Sequence, residues 1–197
     1  MNYLAHLYLA GDDPQAQVGQ VLADFVAARE IDSFEPGIRA GIRAHQRIDV
    51  FTDSHAIVVA ARRRMVAPYR RYGNILLDVF FDHFLAKNWD RYSAGVSLEN
   101  FSQQRYRVLN EHRDTYPGRF QRVVTSMALG DWLVSYRQVN NIDRTLQGIS
   151  RRLTRANPLA DGVSVLRDQY DELDADFANF FPELERHVRE LTNQPRR

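Results

Sequence analysis

The chain has no cysteine and almost no lysine: Lys87 stands alone beside twenty-five arginines in 197 residues. Without thiols there is no disulfide framework, no thiolate-bound zinc and no cysteine nucleophile. Such a composition suits a reducing cytoplasm. Any metal must be held by His, Asp and Glu, hard donors that favour Mg²⁺ or Mn²⁺. No apolar run approaches the roughly 18 residues that a membrane helix needs. The opening Met1–Leu7 has no basic stretch, and Asp12 and Asp13 follow it, which makes a poor secretory signal. A soluble, cytoplasmic protein with no membrane partner is expected. Walker and dinucleotide glycine loops are absent, as is a nucleophile elbow, though a Ser-His-Asp triad stays open. Alternating strand patterns, hairpin turns, internal repeats and linkers are missing too.

What is present is helical periodicity and an uneven spread of charge. Hydrophobic residues make up 44%, enough for a real core in one domain of ordinary size. Apolar spacing predicts helices near 15–29, 36–53, 54–66, 74–92, 98–113, 117–138, 141–155, 160–170 and 171–191, with residues 2–10 helical or extended. Prolines 14, 36, 68, 117, 158 and 182 fall between these segments or at their starts. The fold class is therefore read as all-α, a single-domain helical bundle over residues 1–197. Net charge is only +1, yet residues 37–71 hold eight Arg and two Asp, and residues 168–190 hold eight acids and two Arg. A basic front points to an anionic partner, and solvated helix faces are the plainer explanation. Arg62, Arg63, Arg64, Arg70 and Arg71 carry much of that front. The near-neutral total speaks against nucleic acid as the partner.

The segment Ile75–Leu85 is apolar on nearly every face, so its helix belongs in the core, yet it carries Asp78, Asp82 and His83. A buried carboxylate needs a cation, a metal or several hydrogen-bond donors. Asp78 and Asp82, four residues apart, share a face and repel unless a cation lies beside them; neighbouring arginines would serve as well as a metal. His45, Asp49 and Asp53 lie at i, i+4 and i+8, a column drifting about 40° per step. Asp53 is equally read as a helix-end residue. Asp24 interrupts the stripe Val21–Val26, and His6 sits within Leu4–Leu7, where a lone His is ordinarily a core residue. Together these residues form a cysteine-free His/Asp set suited to a divalent-metal phosphohydrolase built in a helix bundle.

The same residues carry a resemblance. Met1–Leu7, Leu22–Phe25, His45-x-Arg47-Ile48-Asp49-x-x-Thr52-Asp53, Asp78-x-x-x-Asp82-His83-Phe84-Leu85 and Asp131-Trp132-Leu133-x-x-Tyr136-Arg137 are similar, in order, to the acyl carrier protein phosphodiesterase family. The resemblance implies hydrolysis of the phosphodiester that joins 4′-phosphopantetheine to a carrier serine, with Mn²⁺ or a similar ion. It also implies a fold related to the HD phosphohydrolases. The adjacent His-Asp pair of ordinary HD enzymes is absent; His45-x-x-x-Asp49 and the reversed Asp82-His83 stand instead. On this reading Asp24, His45, Asp49, Asp78 and Asp82 are metal ligands or their immediate support. His83 or His6 protonates the leaving serine, with His83 favoured, and Arg47, about 200° round the helix from His45, steadies a carboxylate or the phosphate. Arg62, Arg63, Arg64, Arg70 and Arg71 dock the acidic carrier. The rivals are an HD-like enzyme acting on a small phosphoester or nucleotide, and a non-catalytic helical module whose Asp and His residues are core ion pairs.

Overall fold

The computed structural model describes residues 1–111 and 113–193. In chain order the helices are α1 (Tyr3–Leu9), α2 (Pro14–Leu22), α3 (Pro36–Ser54), α4 (Ala56–Arg64), α5 (Gly73–Lys87), α6 (Trp89–Tyr92), α7 (Leu98–Glu111), α8 (Gly118–Leu129), α9 (Trp132–Ser135), α10 (Val139–Arg152), α11 (Val163–Asp168) and α12 (Tyr170–Asn193). No strand occurs among the described residues, and the all-α expectation is met. No helix among them is long and apolar enough to cross a membrane.

Several expected helices are shorter than their patterns; 74–92 parts at Asn88, 160–170 is helical over Val163–Asp168, and two further breaks have a visible cause. The segment 15–29 ends as a helix at Leu22 and continues as a 3₁₀ turn, Ala23–Phe25, that sets Phe25 edge-on to Phe120 with ring centres 5.9 Å apart. Packing of one aromatic outweighs the modest helical preference of its neighbours. The segment 117–138 breaks after Leu129, where Asp131 adopts a left-handed backbone with φ +42°. The Asp131 carboxylate accepts a hydrogen bond from Tyr106 Oη at 2.9 Å, and that hydroxyl accepts one from the Leu133 amide at 2.9 Å. Burial first, and then the Asp131 charge, push the Tyr106 phenol well above its ordinary range, so it stays a donor.

The chain parts into two compact units, each drawn from separated stretches. The first comprises Met1–Asn2, Ile48–Lys87 and Tyr136–Arg197. Here α5 packs against α4, α10 and α12. Phe81 lies 5.6 Å from Phe177 and 5.5 Å from Phe180, and Phe177 lies 4.9 Å from Phe181. An apolar circumference on α5 follows from having packed neighbours on several sides.

The second unit comprises Tyr3–Arg47 and Asn88–Ser135. Leu4, Leu7, Val21, Leu22, Leu98, Phe120, Val124, Met127 and Leu133 are fully buried in it. Helices α2 and the start of α3 approach at their backbones. A Cβ on Gly19 would come within 2.8 Å of Gly41 Cα, and one on Gly41 within 2.5 Å of the Ala16 carbonyl oxygen. Only glycine at both places permits this crossing.

Candidate metal centre

The close crossing of α2 and α3 sets the first part of the site. It brings the Gln20 carbonyl to His45, whose Nδ1 donates to it at 2.8 Å. A carbonyl oxygen only accepts, so this Nδ1 carries the proton and Nε2 the lone pair. The side chain of the same Gln20 holds His6, with Nδ1 to Oε1 at 2.8 Å. His6 and His45 stack, ring centres 3.9 Å apart and planes 13° from parallel. One buried glutamine therefore orients two imidazoles, and both are presented through Nε2. Fixing Nδ1 by an outer hydrogen bond is how proteins prepare a histidine to ligate metal.

Asp24, in the 3₁₀ turn that ends α2, faces this pair. Its Oδ1 lies 3.6 Å from His45 Nε2. A lone pair and a carboxylate oxygen at that separation are too far apart for a good hydrogen bond. It is a spacing that two ligands of one divalent ion adopt at bonds of about 2.0–2.2 Å. Asp49 follows His45 by one turn of α3. Donor atoms of His6 and His45 lie within 4.8 Å of one another. The donor set, two imidazoles and carboxylates without sulfur, fits Mn²⁺ or Mg²⁺.

The first unit gathers the remaining carboxylates around Met1. Its ammonium donates to Asp78 Oδ1 at 2.8 Å and to Asp49 Oδ1 at 3.3 Å. Burial opposes the charge on this amine, but Asp78 and Asp49, with Asp82 behind them, hold its pKa up to about 11. Asp78 is raised above the usual carboxylate range, first by burial and then by Asp49 and Asp53, against the lowering effect of the ammonium. Asp82 is fully buried.

His83 stands in different company. Its Nδ1 donates to the Tyr136 carbonyl at 2.8 Å, and its Nε2 meets the Tyr170 hydroxyl at 2.8 Å. Burial lowers its pKa, and so does nearby Lys87, against the Tyr136 carbonyl and Asp174. Lys87 reaches Asp174 at 3.3 Å and lies 4.7 Å from the Tyr170 ring centre. Arg47 is exposed on α3, and so is Asp53. The Asp131–Arg137 motif is built into the scaffold: besides the Asp131 turn, Tyr136 Oη accepts from Asn2 Nδ2 at 3.2 Å and Arg137 Nε donates to the Ala86 carbonyl at 3.4 Å.

The five arginines also divide. Arg62 Nη1 donates to Asn74 Oδ1 at 2.6 Å, and Arg64 is ion-paired with Asp176. Arg70 donates to the Met65 and Arg63 carbonyls at 2.8 and 3.1 Å, and Arg63 and Arg71 are exposed. Sequence reasoning passed over Gln20. Its one signal is an amide within the apolar run Val18–Leu22, four residues before Asp24.

Comparison with known proteins agrees with the sequence motifs. The family model described as acyl carrier protein phosphodiesterase matches residues 1–184. Curated proteins of that name are similar along nearly the whole chain. The one from Photorhabdus laumondii is 35% identical over 182 residues, 92% of each chain. The Yersinia pestis protein is 36% identical over 188 residues, 95% of this chain and 97% of its own. An Escherichia coli protein is 37% identical over 185 residues, 93% of this chain and 95% of its own. No solved structure matches, so the expected kinship with HD phosphohydrolases rests on the resemblance alone.

Proposed function

The chain belongs to the acyl carrier protein phosphodiesterase family, and from that premise we propose that it hydrolyses the linkage between 4′-phosphopantetheine and the serine of holo-acyl carrier protein. The products are apo-carrier and 4′-phosphopantetheine. The observation that carries a metal-assisted reading is His45 Nε2 turned toward Asp24 at 3.6 Å while Gln20 holds both Nδ1 positions. His45 and Asp24 would hold a divalent ion, Mn²⁺ by preference. Bound there, the ion would polarise the phosphoryl group and make water more acidic.

The chain's own residues supply the rest. Gln20 keeps His6 in the tautomer whose Nε2 accepts a proton. His6 takes a proton from the attacking water as the new P–O bond forms. The bond from phosphorus to the serine oxygen breaks, and the proton on His6 passes to that oxygen, so an alkoxide need not leave unprotonated. His83, with both ring nitrogens engaged, is assigned here to holding α5 rather than to proton transfer. The cysteine-free chain suits work in the cytoplasm.

Holo-carrier incubated with the protein and Mn²⁺, then weighed intact by mass spectrometry, tests the function. Loss of the phosphopantetheine mass is expected, and EDTA should prevent it. A carrier of unchanged mass after prolonged incubation with Mn²⁺ contradicts the reading.

A further inference from the structure

The first unit contains a cleft of about 610 Å³ whose lining includes Pro68, Arg70, Arg71, Tyr72, Ala156 and Pro158. We propose that this cleft is where an acidic segment of the carrier protein docks. The inference rests on the carrier being the substrate. It moves the docking surface away from the whole arginine run and onto two of its members, joined by a wall that the sequence reading did not include.

Among the described residues, no carboxylate lines the cleft. Residues 62–72 carry five arginines and no acid, and residues 151–161 carry three arginines against Asp161 alone. Arg62 and Arg64 are tied to Asn74 and Asp176, so the charge lining the cleft is that of Arg70 and Arg71, and the exposed Arg155 is the chain neighbour of the lining Ala156. Both walls are held in place before anything binds. Arg70 is anchored by its two bonds to the Met65 and Arg63 carbonyls. On the other wall Asn157 donates to the Ser150 and Arg155 carbonyls at 3.2 and 3.0 Å and accepts from the Leu159 amide at 3.2 Å. A fixed guanidinium surrenders little freedom on binding a carboxylate. The two prolines and Ala156 offer apolar surface between the charges, which suits an amphipathic protein segment better than a bare phosphate. With a net charge of +1 on the chain, complementarity confined to one cleft favours an acidic protein over a nucleic acid.

Apo-carrier is the probe, because it lacks the arm and cannot be turned over. Its affinity for the protein is measured by titration calorimetry at low and at physiological salt. Arg70→Glu with Arg71→Glu should weaken binding by about tenfold or more and flatten its dependence on salt. Arg71→Glu with Arg155→Glu should act in the same direction while leaving the backbone bonds of Arg70 intact, so it judges the proposal if the first variant misfolds. With holo-carrier, KM should rise and kcat stay the same. Unchanged apo-carrier affinity in a folded variant overturns the proposal. So does lost affinity for free 4′-phosphopantetheine with carrier binding intact, which would make the cleft the arm's site. Failure of the wild-type protein to cleave holo-carrier would instead refute the phosphodiesterase reading, while apo-carrier binding still judges the cleft.

Discussion

His45 and His83 are both buried histidines on helices that also carry aspartates, and the two are arranged to opposite ends. Around His45, one ring nitrogen is committed to the Gln20 carbonyl and the other turns to Asp24 at 3.6 Å. Around His83, the Tyr136 carbonyl and the Tyr170 hydroxyl engage both nitrogens, each at 2.8 Å. Burial alone therefore does not mark a functional histidine. The partner of the second nitrogen does. A lone pair aimed at a carboxylate asks for a cation, whereas one aimed at a hydroxyl is already satisfied.

The largest effect that sharpens this contrast belongs to His45. Removing it or Asp24 by substitution with Ala should lower hydrolysis of holo-carrier more than about 100-fold, as expected for a direct ligand. The thermal midpoint should stay near wild type, since Asp24 and His45 form no part of the apolar core. Gln20→Ala should cost about 10–100-fold in rate, because His6 loses the side-chain oxygen that fixes its tautomer, while the backbone carbonyl still holds His45. Gly41→Ala tests the backbone crossing beneath the site. It should destabilise the fold by about 1–3 kcal/mol in a denaturant titration, because the added methyl meets the Ala16 carbonyl. His83→Gln should change the rate least, by under about tenfold.

That last variant has a further signature in pH. Burial holds the folded-state pKa of His83 below its ordinary 6.5. Between the two values the unfolded chain binds a proton at this residue that the folded chain does not. Its contribution to stability is thus fully present above about pH 6.5 and is lost as pH falls through the lowered folded value. Thermal midpoints from pH 7 to pH 5 should fall less steeply for His83→Gln than for wild type.

Much of this arrangement was legible before any coordinates. The apolar circumference of Ile75–Leu85 announced a central helix, and the four-residue spacing of His45 and Asp49 announced a shared helix face. The break after Leu22 was not legible, because it depends on Phe25 finding Phe120 some ninety residues on. The left-handed turn at Asp131 depends on Tyr106 in the same way. Gln20 escaped notice because half of its role is played by its backbone carbonyl, which no side-chain pattern reports. The partners of His83 were not legible either, because Tyr136 and Tyr170 lie 53 and 87 residues further along the chain. The five arginines read as one patch because sequence cannot reveal that Asn74 and Asp176 occupy two of them.

The central claim is that the His45 lone pair, oriented by the Gln20 carbonyl, holds a divalent ion. Mn²⁺ binding, followed by electron paramagnetic resonance or calorimetry at neutral pH, tests it without reference to turnover. Wild type and His83→Gln should bind Mn²⁺ with similar affinity, and His45→Ala should lose at least about tenfold. Undiminished binding in folded His45→Ala, or its loss in folded His83→Gln, would contradict the account.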